Sequence, residues 1–184
     1  MEATGIIRRV DSLGRVVIPK EMRQTLGIHT GDSLEIGLNA ENQIILSKHS
    51  WLKELETPAK DLCRTLQRTC GRPAAVTDRE RILAAAGFGE RKLSGGFISA
   101  ALRRVIEARS PFRAEETEPV FLTDYSQELS VVQAVPIIVH GEASGCVLLA
   151  FPSNQIEPIS SSDLDSDFKV LSALSTVIGS YLSD

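Results

Sequence analysis

The sequence predicts two folded units of different class. Residues 1–50 read as a small all-β unit that completes its core with a second copy, and residues 51–184 as an α+β unit. Three observations predict this. Short β-branched runs punctuated by Gly and Pro fill the first fifty residues, and helical periodicity takes over near Ser50. Residues 1–49 hold as many Lys/Arg as Asp/Glu, so the formal charge of -4 resides in the remainder. Fifty residues with few large side chains and no disulfide fall short of a self-sufficient core, and the economical remedy is to share one.

In the first unit, residues 4–10 form a β-branched run. Asp11-Ser12-Leu13-Gly14 is turn chemistry, with Gly14 free to take φ > 0. Residues 15–18 make a second strand that Pro19 ends, and proline suits the first turn of the helix predicted over 20–26. Gly27 is placed to cap that helix in a left-handed conformation. Gly31-Asp32 turns the chain into a strand at 33–38, and residues 39–42 turn it again into a strand at 43–48. Leu34, Ile36 and Leu38 alternate, as do Ile44 and Leu46, so each strand offers one apolar face.

Charge is the second signal in this unit. Between Arg8 and Arg23, five cations (Arg8, Arg9, Arg15, Lys20 and Arg23) are opposed only by Asp11 and Glu21, a basic concentration that the sequence pI of about 5.5 conceals. Lysine and arginine contacts to phosphate supply affinity through counterion release, and arginine's fork also pairs with guanine edges. The plainer reading is a set of solvated charges on small strands and a surface helix.

The second unit opens with a helix in which Leu52, Leu55, Ala59, Leu62 and Leu66 step by three and four, a heptad seam with Cys63 and Cys70 beside it. Pro58 falls in its second turn and starts a new segment or kinks the first. Strands are predicted at 74–78 and 82–87 around an Asp78-Arg79-Glu80-Arg81 turn. A helix follows at 96–109, with Ser94-Gly95-Gly96 read as its start rather than as a phosphate loop. A strand at 119–123 precedes the strongest β signal, a hairpin of 131–139 and 144–151 closing through His140-Gly141-Glu142. The C-terminal helix begins at cap candidates 160–163 and presents Leu164, Phe168, Leu171, Leu174 or Ser175, Ile178 and Leu182 as one stripe.

Composition excludes several classes. With 42% hydrophobic and 24% charged residues the chain of 184 lies within the folded regime. No apolar run approaches the ~18–20 residues needed to span a bilayer. The N-terminus lacks an apolar signal region, so a cytoplasmic location is expected. Three cysteines at no metal-ligand spacing suit a reducing compartment, and neither metal nor cofactor is expected. Cys146 lies in an apolar strand, and Cys63 and Cys70 fall on a helix seam. No nucleophile stands beside a base, so the chain is not read as an enzyme.

Residues 4–11, Leu13-Gly14-Arg15-Val16-Val17-Ile18-Pro19, Lys20-Glu21-Met22-Arg23, Leu26-Gly27-Ile28 and Gly31-Asp32 together resemble the AbrB-type DNA-binding domain. The whole chain is most similar to the sporulation branch of that family, which joins such a domain to a C-terminal sensor-like domain. The resemblance implies a swapped-hairpin β-barrel in which two chains interleave their hairpins. It implies double-stranded DNA as the partner, contacted by Arg8, Arg9, Arg15 and Arg23, with Lys20 as a further candidate. Relatives often carry a basic residue after the one matching Arg23, where this chain has Gln24.

The element order of the second unit resembles a GAF domain, a relative of PAS. That resemblance implies an antiparallel sheet with the terminal helices on one face and the middle helix and its loops on the other. It also implies a small-molecule pocket whose candidate walls are Phe97, Phe121, Tyr125 and Val135, although each reads more readily as plain core.

The expected function is a DNA-binding regulator of sporulation or stationary-phase genes. It dimerises through the barrel, and helices at 51–70 and 160–182 extend the assembly to a tetramer. A redox- or ligand-responsive signalling protein is one alternative, with a Cys70 disulfide between subunits as its redox form. The antitoxin of a toxin–antitoxin pair is another, disfavoured because the region after the barrel reads as a folded domain and not as an extended tail.

Overall fold

In the computed structural model, which describes residues 5–28, 30, 33–49, 52, 55–87, 93–114, 119–153 and 161–183, the chain divides into units 1–49 and 50–184. The Gly31-Asp32 turn and the Ser160 cap candidate lie outside the described residues.

In the first unit, Pro19 leads into α1 (Lys20–Thr25). Gly27, at φ 61, ends the helix as anticipated. The Gly27 amide donates to Gln24 O at 3.3 Å and the Ile28 amide to Arg23 O at 2.7 Å, the pair of bonds that defines a Schellman cap. β1 (Leu34–Leu38) and β2 (Ile44–Lys48) form an antiparallel hairpin with Leu34 opposite Lys48 and Leu38 opposite Ile44. Its turn is held by Asn39 Oδ1, which accepts from the Glu41 amide at 3.0 Å and the Gln43 amide at 2.8 Å.

The strands expected at 4–10 and 15–18 correct to unpaired chain: residues 5–10 and 15–18 join no sheet. The Asp11–Arg15 loop between them is nevertheless closed, by an amide bond from Asp11 to Arg15 O at 3.1 Å and another from Gly14 to Asp11 O at 3.0 Å. The physical reason is that a strand needs a ladder partner, and the single chain offers these two segments none. Their side chains stay in solvent, with Ile7 90% and Val17 75% exposed. Ile36, Leu38, Ile44 and Leu46 of the hairpin are exposed as well. Among the described residues of this unit only Pro19 is buried.

The second unit is a five-stranded antiparallel sheet between two layers of helix. α2 (Glu56–Cys70) starts after Leu55 with Pro58 in its first turn, and Gly71 at φ 68 caps it. β3 (Ala74–Asp78) and β4 (Ile82–Ala86) follow. Their turn is tied by Asp78 Oδ1, which accepts from the Glu80 amide at 2.7 Å and the Arg81 amide at 2.6 Å. α3 (Ala100–Glu107) is shorter than expected. Its true cap is Ser99, whose Oγ accepts from the Leu102 amide at 3.0 Å, whereas Gly95 and Gly96 belong to a preceding turn.

β5 (Phe112–Arg113) was not anticipated, being too short for an alternation signal. The strand expected at 119–123 reduces to a bridge between Phe121 and Ser130. β6 (Leu129–Val139) and β7 (Glu142–Pro152) form the long hairpin. It turns on two residues only, His140 at φ 49 and Gly141 at φ 80, the geometry of a type I′ turn. α4 (Ser161–Tyr181) closes the unit.

The strand order is β4-β3-β7-β6-β5. One face packs Leu66, Val76, Ile137, Leu149 and Leu171 beneath α2 and α4. The other packs Ile82, Leu102, Ile106, Leu122 and Leu148 beneath α3 and its loops. The expected layering therefore holds, with one change of meaning. The α2 seam is spent on its own sheet, because Leu52, Leu55, Ala59, Cys63 and Leu66 are all buried there and Leu62 only half-buried. In α4, Ser175 takes the buried place, its hydroxyl donating to Pro136 O, and Leu174 is half-buried.

At the crossing of β7 over β3, a side chain on Gly145 would collide with the backbone of Thr77 and Asp78. Backbone atoms cannot yield as a flexible side-chain end does. Gly145→Ala is expected to destabilise the unit by about 2–3 kcal/mol. A urea midpoint unchanged from the parent chain would show that β7 does not pass so close.

Candidate nucleic-acid interface and effector site

The five candidate DNA-facing cations of the first unit sit on three local devices. Arg8 and Arg9 lie on the unpaired segment before the loop, both exposed. Arg15 closes that loop. Lys20 and Arg23 lie on α1, the first exposed and the second half-buried. The Arg23 Nε is covered and has no acceptor among the described residues.

The loop owes its order to a residue that sequence reasoning had assigned only to a turn. Asp11 Oδ1 accepts from the Leu13 amide at 2.9 Å and the Arg15 amide at 2.8 Å, while Oδ2 accepts from Arg15 Nε at 2.8 Å. One carboxylate thus folds the backbone and aims the guanidinium, which remains 72% exposed. The Arg15 amide, then the Arg15 side chain, then the Leu13 amide hold the Asp11 carboxyl below the usual carboxylate range. An Asp four residues ahead of an Arg across a Gly-containing turn was the available signal.

The four candidate effector residues are not brought together. Phe97 is exposed at the start of α3, with the Arg81 guanidinium 4.2 Å from its ring centre. Tyr125 is exposed and sets its hydroxyl against Gly96. Phe121 is half-buried at its bridge to Ser130. Val135 corrects to the opposite face, packed with α2 and α4. The cause is a bulge between Val131 and Gln133, which reverses the alternation that a regular strand would keep.

Space in this unit lies elsewhere. Between the sheet and the α3 side, the gap lined by Ala75, Ala85, Leu93, Leu122 and Ala150 is packed too tightly to admit water. A groove of about 550 Å³ runs between β6 and α4, past Val135, Ile138, Ser175 and Gly179. An open cleft of about 810 Å³ lies at the β5 edge.

The thiols are protected. Cys63 is buried and its Sγ donates to Ala84 O at 3.4 Å. Cys146 is buried 3.4 Å from Thr77 Oγ1, and desolvation pushes its thiol up to about 12. Cys70 is half-buried, its thiol raised by burial against the opposing charge of Arg72. Cys70 and Cys146 are therefore protonated at neutral pH, the unreactive form, and Cys63 is shielded by burial.

Comparison with known proteins covers both units. Residues 54–166 match the family model for the stage V sporulation protein T C-terminal region, described as a transcription factor. Residues 7–50 match the model for the antidote-toxin recognition protein MazE, a bacterial antitoxin. Stage V sporulation protein T of Bacillus subtilis (strain 168) is 35% identical over 150 residues, 81% of this chain and 84% of that protein. The transition state regulatory protein AbrB of the same organism is 59% identical over 49 residues, 27% of this chain and 50% of that protein. Among solved structures, the nlh2 GAF domain of A. Aeolicus superposes with a TM-score of 0.52 at 15% identity, over 68% of this chain and 83% of that one. That likeness speaks to the fold of the second unit.

The protected thiols make a checkable statement. Iodoacetamide at pH 8 is expected to leave Cys63 and Cys146 unmodified in the folded chain and to label Cys70 slowly, with all three reacting in denaturant. Above the ordinary thiol value of 9.0 the unfolded chain loses the Cys146 proton that the folded chain keeps, so this group's contribution to stability falls as pH rises towards about 12. Fast native labelling of Cys146, read by mass spectrometry, contradicts its burial.

Proposed function

The chain belongs to the stage V sporulation protein T family, and from that premise we propose that two copies interleave residues 1–50 into a swapped-hairpin barrel presenting Arg8, Arg9, Arg15, Lys20 and Arg23 to double-stranded DNA. The protein is a DNA-binding transcription regulator of sporulation. One observation carries the barrel: the first unit leaves its alternating apolar residues, Ile7, Val17, Ile36, Leu38 and Ile44 among them, in solvent. Segments 5–10 and 15–18 also have no strand partner of their own. A second copy supplies both the ladder and the cover. Symmetry then doubles every cation, which suits a duplex whose two strands are themselves related by two-fold axes. Such a regulator works in the cytoplasm.

The second unit senses a small molecule and joins barrels into larger assemblies. With the α2 stripe packed on its own sheet, and Lys60, Asp61, Arg64 and Arg68 on its outer face, association falls to α4. Val177 and Tyr181 are the large apolar side chains that α4 leaves exposed. Two linked barrels raise avidity for DNA that carries paired sites, without any new contact. The antitoxin reading has the match of residues 7–50 in its favour, but the folded sheet that follows is no extended toxin-wrapping tail.

Replacing Arg15 removes two contacts per dimer. Arg15→Ala is expected to weaken binding to a promoter-length duplex about tenfold or more, and to lower the slope of log affinity against log salt by about two units. Unchanged affinity and slope in fluorescence anisotropy would remove Arg15 from the interface. For the assembly, Val177→Asp with Tyr181→Asp is expected to halve the mass measured by light scattering. A mass that stays at the tetramer value places the second interface off α4.

A further inference from the structure

At the outer edge of the sheet the two helical layers leave the open cleft of about 810 Å³. Its walls come from both sides: Arg104 and Val105 of α3, Phe112 and Arg113 of β5, Val120, and Phe168 of α4. A volume of this size falls within the range of small-molecule sites, about 300–1,000 Å³. The lining has the matching chemistry, an apolar and aromatic surface with two guanidinium groups. One of these is already arranged as a carboxylate receptor. Arg113 lies with its guanidinium 4.2 Å from the centre of the Phe168 ring and donates from Nη1 to Asp165 Oδ1 at 2.7 Å.

We propose that this edge cleft binds a small carboxylic acid with an apolar body. The proposal rests on the reading that the second unit senses a small molecule, and it names the site and the ligand class. The body lies on Val105, Phe112, Val120 and Phe168, and the carboxylate lies between Arg104 and Arg113. Arginine suits this use because its planar fork accepts a carboxylate through two parallel bonds. Asp165 occupies one such position now. That ion pair is solvent-exposed, with side chains 45% and 62% accessible, so a ligand displaces the aspartate against little resistance.

Displacement acts on α4, since Asp165 and Phe168 both belong to it. The helix stays tethered there by two other contacts, Gln133 Nε2 donating to Leu164 O at 2.7 Å and the ion pair of Arg72 with Asp167. Ligand binding therefore loosens one of the polar ties at the start of this helix.

The test uses the full-length chain and isothermal titration calorimetry, with 3-phenylpropionate as the probe and its uncharged counterpart 3-phenylpropanol as the comparator. The acid is expected to bind with a Kd of about 1 mM and the alcohol about tenfold more weakly, the difference being the charge-assisted bonds. Arg104→Gln is expected to weaken the acid about tenfold and leave the alcohol unchanged. Ala108→Trp, which fills the cleft from its exposed wall, is expected to abolish both. Thermal unfolding of each variant checks that it folds, and duplex binding is measured on the same samples.

Equal binding of acid and alcohol overturns the proposal, as does the absence of heat with about 10 mM probe. If the acid binds but neither substitution alters it, the cleft assignment falls while the sensing role stands. Loss of duplex binding by the parent chain is a separate failure, which strikes the regulator reading and leaves the cleft intact.

Discussion

The constraint from which the rest follows is that the first unit cannot hide its own apolar residues. Burying a side chain such as Ile or Val is worth about 1.5–3 kcal/mol, and a marginal domain cannot forgo several of these at once. Ile7, Val17, Ile36, Leu38 and Ile44 all remain in solvent in the single chain. Cover must come from outside, and a second copy is the source that requires no further gene product. In the proposed dimer this cover is a condition of folding, and the basic surface is two-fold from the moment it exists. For such a dimer protein concentration enters both terms, since it would set how much barrel there is and how much of the proposed DNA-facing surface.

The second unit solves its core by itself, and so is free to carry other tasks. Its sheet is covered on both faces, and its α4 edge is managed with small and polar groups. Pro136 has no amide hydrogen to offer an outside strand, and its carbonyl accepts from Ser175. Gly179 lets α4 approach the Ile138 carbonyl. At its other end, α4 is fastened by polar pairs to Arg72, Arg113 and Gln133. The helix thus touches β6 closely at Ser175 and Gly179 in its C-terminal half and is tied reversibly at its start. Only the second kind of contact can respond to a charged ligand, because apolar packing has no partner to exchange.

Much of this was legible in the sequence where local chemistry decides the outcome. Gly27 as a helix cap, the Asn39 turn, the β6–β7 hairpin and the faces of α2 and α4 follow from residue type and spacing. Three failures have separate physical causes. Residues 5–10 and 15–18 carry strand chemistry, but strand formation depends on a partner that the single chain does not contain. The start of α3 was misplaced because Gly95-Gly96 gave a stronger breaker signal than the Ser99 cap that prevailed. Val135 was assigned to the wrong face because a bulge between Val131 and Gln133 reverses the pleat, and no side chain announces it. Of the interface, the cations were visible as a cluster, whereas the role of Asp11 emerges only once its carboxylate is seen to hold backbone and arginine together.

That role bears on how Arg15, paired to an aspartate, would serve a polyanion in the proposed interface. The Asp11–Arg15 pair is exposed, and exposed pairs are weak, so phosphate or a guanine edge would compete for the guanidinium on favourable terms. What Asp11 retains after such an exchange is its hold on the Leu13 and Arg15 amides, which keeps the loop in shape while the side chain is in use. Because those bonds lower its carboxyl below the usual range, Asp11 stays ionised at any neutral pH and the loop loses this support only on strong acidification. The sign follows from the direction of the shift, since a lowered carboxyl stabilises above its unfolded value and ceases to do so as pH falls through the folded one. An aspartate within the proposed DNA-facing cluster is therefore no contradiction. It lowers net positive charge by one and in return presents Arg15 in a fixed place, which matters more to a reader of base edges than to a mere clamp on phosphates.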